Sequence, residues 1–165
     1  MTITYQRILV PLDGSERAAA ALPHAEVLAK LTNARVILLQ VIPSTAMLVS
    51  ESTVAAPGMG LPAVDPFLAS TQYESVEAAL AQEAQTMLDT AAAPLQANGV
   101  QTETVVLRGA PADGILTYAG DSHVDLIVMS THGRTGLARL VFGSVAESVL
   151  HRSTCPVLLV RVAGE

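Results

Sequence analysis

Gly133, Gly143 and Ser144 carry the clearest chemistry in this chain, because their spacing suits an anion held by backbone amides. They fall within Ser130-Thr131-His132-Gly133-Arg134-Thr135-Gly136-Leu137-Ala138-Arg139-Leu140-Val141-Phe142-Gly143-Ser144, which directly follows the apolar run Leu126-Ile127-Val128-Met129. An apolar strand that empties into small residues and then a helix start brings N–H groups to a sheet edge, a setting that favours phosphate. Neither glycine has a Cβ, so backbone can come close to an anion there. Gly143-Ser144 also opens a helix, whose unpaired amides and dipole favour negative charge. The run Ile8-Leu9-Val10-Pro11-Leu12-Asp13-Gly14-Ser15 repeats the strand-to-loop order near the N-terminus and carries one acid. Together the two segments imply a nucleotide held across two adjacent strand ends.

Each of these residues also has a structural reading that stays open at this point. Gly133 and Gly136 can simply turn the chain, and Gly143 can simply precede a helix. Ser144 and Glu147 match a capping box, with Glu147 facing away from any ligand; the serine hydroxyl could cap in the empty protein and contact phosphate in a complex. Asp13 can cap the helix expected near Ser15, or accept hydrogen bonds from adenine or ribose. Arg134 and Arg139 lie between the two glycines, as phosphate partners or as ordinary surface charge. His132 has no recognisable nucleophile beside it, so its expected role is packing and support of the loop backbone. There is no G-x-x-x-x-G-K-[ST], G-x-S-x-G or H-x-x-x-H, and the histidines at 24, 123, 132 and 151 are scattered. Nothing in the sequence points to fast turnover.

Composition and periodicity set the elements that must position these residues. At 165 residues the chain is expected to form one domain with room for a three-layer core. Half its residues are hydrophobic but only 3% are aromatic, so Ala, Val, Leu and Ile must build that core, as in parallel strands under Ala-rich helices. The net charge of −6 and pI near 5.1 argue against a nucleic-acid partner, which calls for a basic face; Lys30 is the only lysine. Cys155 is the only cysteine, which rules out an internal disulfide or a cysteine-based metal site and leaves a buried spectator thiol as the expectation. Mean hydropathy is +0.44, yet no window reaches the roughly 18 uninterrupted apolar residues of a membrane span. Residues 1–10 lack the features of a signal peptide, so a soluble cytoplasmic protein without a membrane partner is expected.

Apolar, β-branched runs occur at Ile8–Pro11, Arg35–Ile42, Thr102–Leu107, Asp125–Ser130 and Val157–Val162. Between them, Ala18, Ala21, Leu22, Ala25, Leu28 and Ala29 share one helix face, with Pro23 forcing a kink or restart. Tyr73, Val76, Leu80, Met87, Leu88, Ala91 and Leu95 share another. Pro111 fits a first helical turn reaching about Ala119, and a last helix is expected from near Ser144 to about His151. Strand alternating with helix predicts a three-layer α/β/α, Rossmann-like fold with a five-stranded parallel sheet. An order of 3-2-1-4-5 would put the reversal, where ligands bind, between the strands ending at Asp13 and Ser130. The segment 43–72 holds Pro43, Pro57, Gly58, Gly60, Pro62 and Pro66 with little periodicity and is expected to be a long loop, either a lid or an idle insertion.

Over nearly its whole length the chain resembles the universal stress protein family. The resemblance is carried by Ile8 to Ser15, by Gly109-Ala110-Pro111-Ala112, by Asp125 to Gly136, by Gly143-Ser144-Val145, and by Cys155-Pro156-Val157-Leu158-Leu159-Val160. The ATP-binding branch is similar in carrying G-x-x-G-x₉-G-[ST]. Gly133, nine residues and Gly143-Ser144 fit it, whereas Ser130 stands where the first glycine is expected. That serine adds a Cβ near the ligand but also a hydroxyl that can donate to it. The resemblance implies an adenine nucleotide alpha hydrolase-like fold holding ATP, with magnesium or another divalent ion among the phosphate oxygens. It places Asp13, with Pro11 and Leu12, and the backbone of Val41 at adenine or ribose. It places Met129, Ser130, His132, Gly133, Arg134, Gly143, Ser144 and Val145 along ribose and phosphates, and assigns no catalytic or metal-ligating side chain. A homodimer through Val157–Val162 is implied too, since an apolar edge strand is a liability unless it pairs with a copy. The expected function is a nucleotide-dependent stress-response sensor or regulator read by an unidentified protein partner. A slow ATPase or nucleotide hydrolase using Arg134, Arg139 and a metal is one alternative. A dimeric interaction module that has lost nucleotide, to which Ser130 points, is another.

Overall fold

The computed structural model describes residues 4–44, 46, 66–133 and 143–163, with backbone alone at 66–72, 132, 133 and 163. Its strands are β1 (Arg7–Pro11), β2 (Arg35–Ile42), β3 (Thr102–Arg108), β4 (Leu126–Gly133) and β5 (Val157–Ala163). They form one parallel sheet in the order β3-β2-β1-β4-β5, as the alternation of strand and helix predicts. The helices that concern the site are α1 (Glu16–Ala19), α2 (Leu22–Thr32), α3 (Pro66–Ala97), α4 (Pro111–Asp121) and α5 (Ser144–Arg152).

Successive strand residues face opposite sides, and both sides are apolar because helices cover both. Ile8, Val10, Val36, Leu38 and Val128 pack with Ala25 and Ala29 of α2 and Leu88 and Ala92 of α3. Leu9, Ile37, Leu39, Ile127 and Met129 pack on the other side with Ile115 and Ala119 of α4 and Ala146 and Val149 of α5. At the lower edge, the Asp125 Oδ2 accepts the backbone N–H groups of Gln6 and Arg7, each at 2.8 Å. That carboxylate ties the beginning of β1 to the beginning of β4.

Local chemistry sets the element ends. Pro23 is the second residue of α2, within the first turn, where its missing N–H costs no helical bond, so the chain restarts there rather than kinking. Asn33 ends α2 in the left-handed conformation at φ 57°.

Three expectations need correction. β4 does not stop at Ser130; Ser130, Thr131, His132 and Gly133 stay extended because β5 offers Val160, Arg161, Val162 and Ala163 as ladder partners. The segment 43–72 is not all irregular, since α3 begins at Pro66, a residue whose fixed φ suits a first helical position. The remainder of that segment, apart from 43, 44 and 46, lies outside the described residues, and with it any lid. Finally, the expected apolar face of α3 is buried only in its second half, at Ala84, Leu88, Ala92 and Leu95, while Val76 is 46% exposed. Length explains this: 32 helical residues reach about 48 Å, whereas an eight-residue strand reaches only about 26 Å. The first half of α3 therefore overhangs the carboxyl edge of the sheet, tied to the end of β3 by an Arg108–Glu77 ion pair at 2.6 Å.

Candidate functional site

β1 and β4 pair only at Ile8↔Leu126 and Leu9↔Ile127. Pro11 has no N–H with which to extend the ladder, and the chain instead leans on β2 through the Leu12 N–H to the Leu39 carbonyl at 2.8 Å. A cleft of about 380 Å³ opens at this point. Its apolar lining includes Leu39 and Val41 of β2, Pro111 and Ile115 of α4, Met129 of β4, and Val145 and Ala146 of α5. Its polar lining is Asp13, Ser15, Arg17, Ser130 and Ser144.

One end of the cleft is a helix start. Gly143 caps α5 in an extended conformation, φ −61° and ψ 151°, with no side-chain cap. The first helical bond runs from the Glu147 N–H to the Gly143 carbonyl at 2.9 Å. The amides of Ser144, Val145 and Ala146 make no hydrogen bond among the described residues. The capping box expected of Ser144 and Glu147 is not formed, because Gly143 occupies the cap position and Ser144 is already the first helical residue. Glu147 is exposed and does not line the cleft.

Asp13 marks the opposite side. Its Oδ1 accepts the Ser15 N–H at 2.9 Å and the Ser15 hydroxyl at 2.6 Å. Ser15, not Asp13, caps α1, its Oγ accepting the Ala18 N–H at 3.1 Å. Gly14 between them has φ +82°, a turn geometry that a side chain would strain. Partial burial raises the Asp13 pKa, but the two Ser15 hydrogen bonds and the nearby Arg17 charge outweigh it and hold the carboxyl below its ordinary value.

Pro11, Leu12, Asp13, Val41, Met129, Ser130, Gly143, Ser144 and Val145, all expected from sequence, thus share one cleft. His132 and Gly133 end β4 in register with Val162 and Ala163, and for both the backbone alone is described. Arg134 and Arg139 lie outside the described residues altogether. Sequence reasoning missed Ser15, Arg17, Ala18, Leu39, Pro111, Ile115 and Ala146. Pro111 and Ile115 are four apart, a spacing that puts them on one helix face, but only the placement of α4 shows that the face meets the cleft. Arg17 is the one cation among the described lining residues, and no ion-pair partner is found for it among the described residues.

Among the described residues no three His, Cys, Asp or Glu side chains gather as a metal site. Asp13 is the single carboxylate among the described lining residues, so a divalent ion here would depend on a ligand's phosphates for its other oxygens. No helix among the described residues is long and apolar enough to cross a membrane.

An open parallel sheet with helices on both faces and a cleft at its topological switch point places the chain among Rossmann-like α/β proteins. The sequence profile of the universal stress protein family matches residues 4–161. Universal stress protein MJ0531 of Methanocaldococcus jannaschii is 35% identical over 157 residues, 95% of this chain and 82% of that one. Universal stress protein MJ0577 of the same organism is 30% identical over 161 residues, 98% of each chain. The solved MJ0577 structure matches with a TM-score of 0.74 at 29% identity, covering 99% of this chain and all (100%) of that one. Two further solved universal stress proteins share the fold. One, in complex with cAMP, has a TM-score of 0.64 at 23% identity, covering 98% of this chain and 100% of its own. The other, from Archaeoglobus fulgidus in complex with dAMP, has 0.61 at 21%, covering 95% and 98%. This chain belongs to the universal stress protein family.

The Ser15–Asp13 turn gives a direct test. Ser15→Ala removes the α1 cap and is expected to cost about 1 kcal/mol of stability. It should also raise the Asp13 pKa toward its ordinary 3.8, read by a carboxyl NMR titration. In the unsubstituted protein the Asp13 contribution is complete above that ordinary value and is lost as pH falls through the lowered folded one. An Asp13 titration unchanged by the substitution contradicts this assignment.

Proposed function

We propose that the protein binds ATP in the β1/β4 cleft and acts as a nucleotide-dependent sensor or regulator in the stress response. The observation that carries this reading is the convergence of three amides, Ser144 to Ala146, that have no partner among the described residues, with an ionised Asp13 on one cleft of nucleotide size. The relatives that hold cAMP and dAMP support an adenine nucleotide as the ligand class. On this reading Leu39, Val41, Pro111, Ile115 and Met129 enclose the base. Asp13 Oδ2 and the Val41 backbone accept or donate at adenine and ribose. Ser130 and the start of α5 take the phosphates, with His132, Gly133 and Arg134 contributing from the segment that follows Ser130. A divalent ion sits among the phosphate oxygens rather than in a cage of side chains.

The same reading includes a homodimer through β5. The two sheet edges differ chemically. β3 is guarded by Arg35–Glu103 at 3.3 Å, by Gln85 on Thr104 at 2.9 Å and by Arg108–Glu77. β5 reads Val-Leu-Leu-Val-Arg-Val-Ala with Leu158 37% exposed, and such an edge invites another strand. The Pro156 carbonyl accepts from Ile127, so alternation turns the backbone N–H groups of Val157, Leu159 and Arg161 away from β4.

Calorimetry with ATP and magnesium tests the site. Saturable binding is expected, with about 2.7 kcal/mol of added stability at a hundredfold excess over Kd. Gly143→Trp, at a φ of −61° that any residue adopts, should fill the cleft and abolish binding while the fold survives. Absence of heat and of thermal shift at millimolar ATP contradicts the reading.

Light scattering tests the dimer. The protein should run at twice its 17.1 kDa chain mass. Arg161→Pro removes one outward N–H from an exposed edge position and should yield a folded monomer. A dimer that survives this substitution assigns the interface elsewhere.

A further inference from the structure

Gly114 lies in the interior of α4, where glycine is a poor choice for helix stability, and it has a specific neighbour. A Cβ built at Gly114 would sit 3.0 Å from Val41 Cγ2 and 3.3 Å from Val41 Cγ1. Val41 is a wall of the cleft, and so are Pro111 and Ile115, which flank Gly114 on the same helix. We propose that Gly114 is a positioning residue for the cleft: by lacking a Cβ it lets α4 seat directly on Val41, and that contact sets the width of the apolar end that receives the base. The inference rests on the nucleotide reading above and adds a residue that does not line the cleft itself.

Room at this contact is limited. Val41 is β-branched, so its methyl groups have few alternative rotamers. It packs against the cluster that includes Leu39, Ile115 and Met129, and a close-packed cluster yields little to an added methyl. A Cβ at residue 114 therefore has two outlets. Either a Val41 methyl turns into the cleft, or α4 backs away and takes Pro111 and Ile115 with it. Both change the gap between β2 and α4. Gly120, on the same helix, meets nothing within 4 Å and makes an internal control.

The experiment measures ATP affinity by calorimetry for the unsubstituted protein, Gly114→Ala, Gly120→Ala, Val41→Ala and the Val41→Ala/Gly114→Ala double variant. Gly114→Ala is expected to bind about tenfold more weakly, the scale of a modest overpacking strain. Gly120→Ala should stay within about twofold, because the alanine there only favours the helix. With the Val41 methyls gone, the double variant should match Val41→Ala alone, since the overlap no longer exists. If Gly114→Ala fails to fold, a folded double variant that binds like Val41→Ala supports the same contact, and a double variant that also fails overturns it. Unchanged affinity in Gly114→Ala, or a loss that the double variant does not relieve, overturns the positioning role and leaves the nucleotide site standing. An unsubstituted protein that binds no ATP overturns the nucleotide reading, and the positioning role with it.

Discussion

Two adjacent parallel strands that stop pairing before they end leave a gap that the rest of a domain must either fill or use. Here the gap lies between β1 and β4, whose ladder ends at Leu9↔Ile127 while both chains run on. Its cause is topological. β1 connects to β2 on one side, and the chain returns to β4 on the other only after β3, so the loops leave in opposite directions. Proline at residue 11 removes the donor that could have closed it. The start of α5, the end of β2 and the N-terminal turns of α1 and α4 are then drawn to the rim of one opening.

For an acidic chain to hold an anion, as proposed, it must find positive potential without many cations. The net charge is −6, and Arg17 is the one cation among the described residues that line the cleft. The helix start supplies what side chains do not, because the amides at the head of α5, unpartnered among the described residues, carry partial positive charge that no pH change removes. Asp13 imposes a division of labour. Its Ser15 hydrogen bonds favour the carboxylate that it already is at neutral pH, so it repels phosphate and suits the hydrogen-bonding groups of a nucleoside. On the proposed reading, the two polar ends would sort a nucleotide's orientation as well as hold it.

Much of this was legible in the residues. The strand positions follow from apolar, β-branched runs, and Asp13 and Gly143–Val145 converge because each follows or faces a strand end in a sheet whose order the βαβ rule restricts. What escaped depended on partners far along the chain. β4 extends through Gly133 because β5 pairs with it, a property no local window contains. Pro66 reads as a breaker in a segment of Pro and Gly, yet it is a helix start. Ser144 resembles a cap, and only the extended ψ of Gly143 moves the cap one residue back. Leu39, Pro111 and Ile115 look like ordinary core residues until α4 is laid against β2.

On the proposed reading the first amides of α5 are the anion's ligands. Amide NMR shifts of Ser144, Val145 and Ala146, followed as ATP and magnesium are added, report on those amides one by one. All three should move downfield together and saturate with the nucleotide, as new hydrogen bonds to phosphate require. Should they stay in place at saturation while resonances elsewhere respond, the phosphate is held by other groups and not by the start of α5.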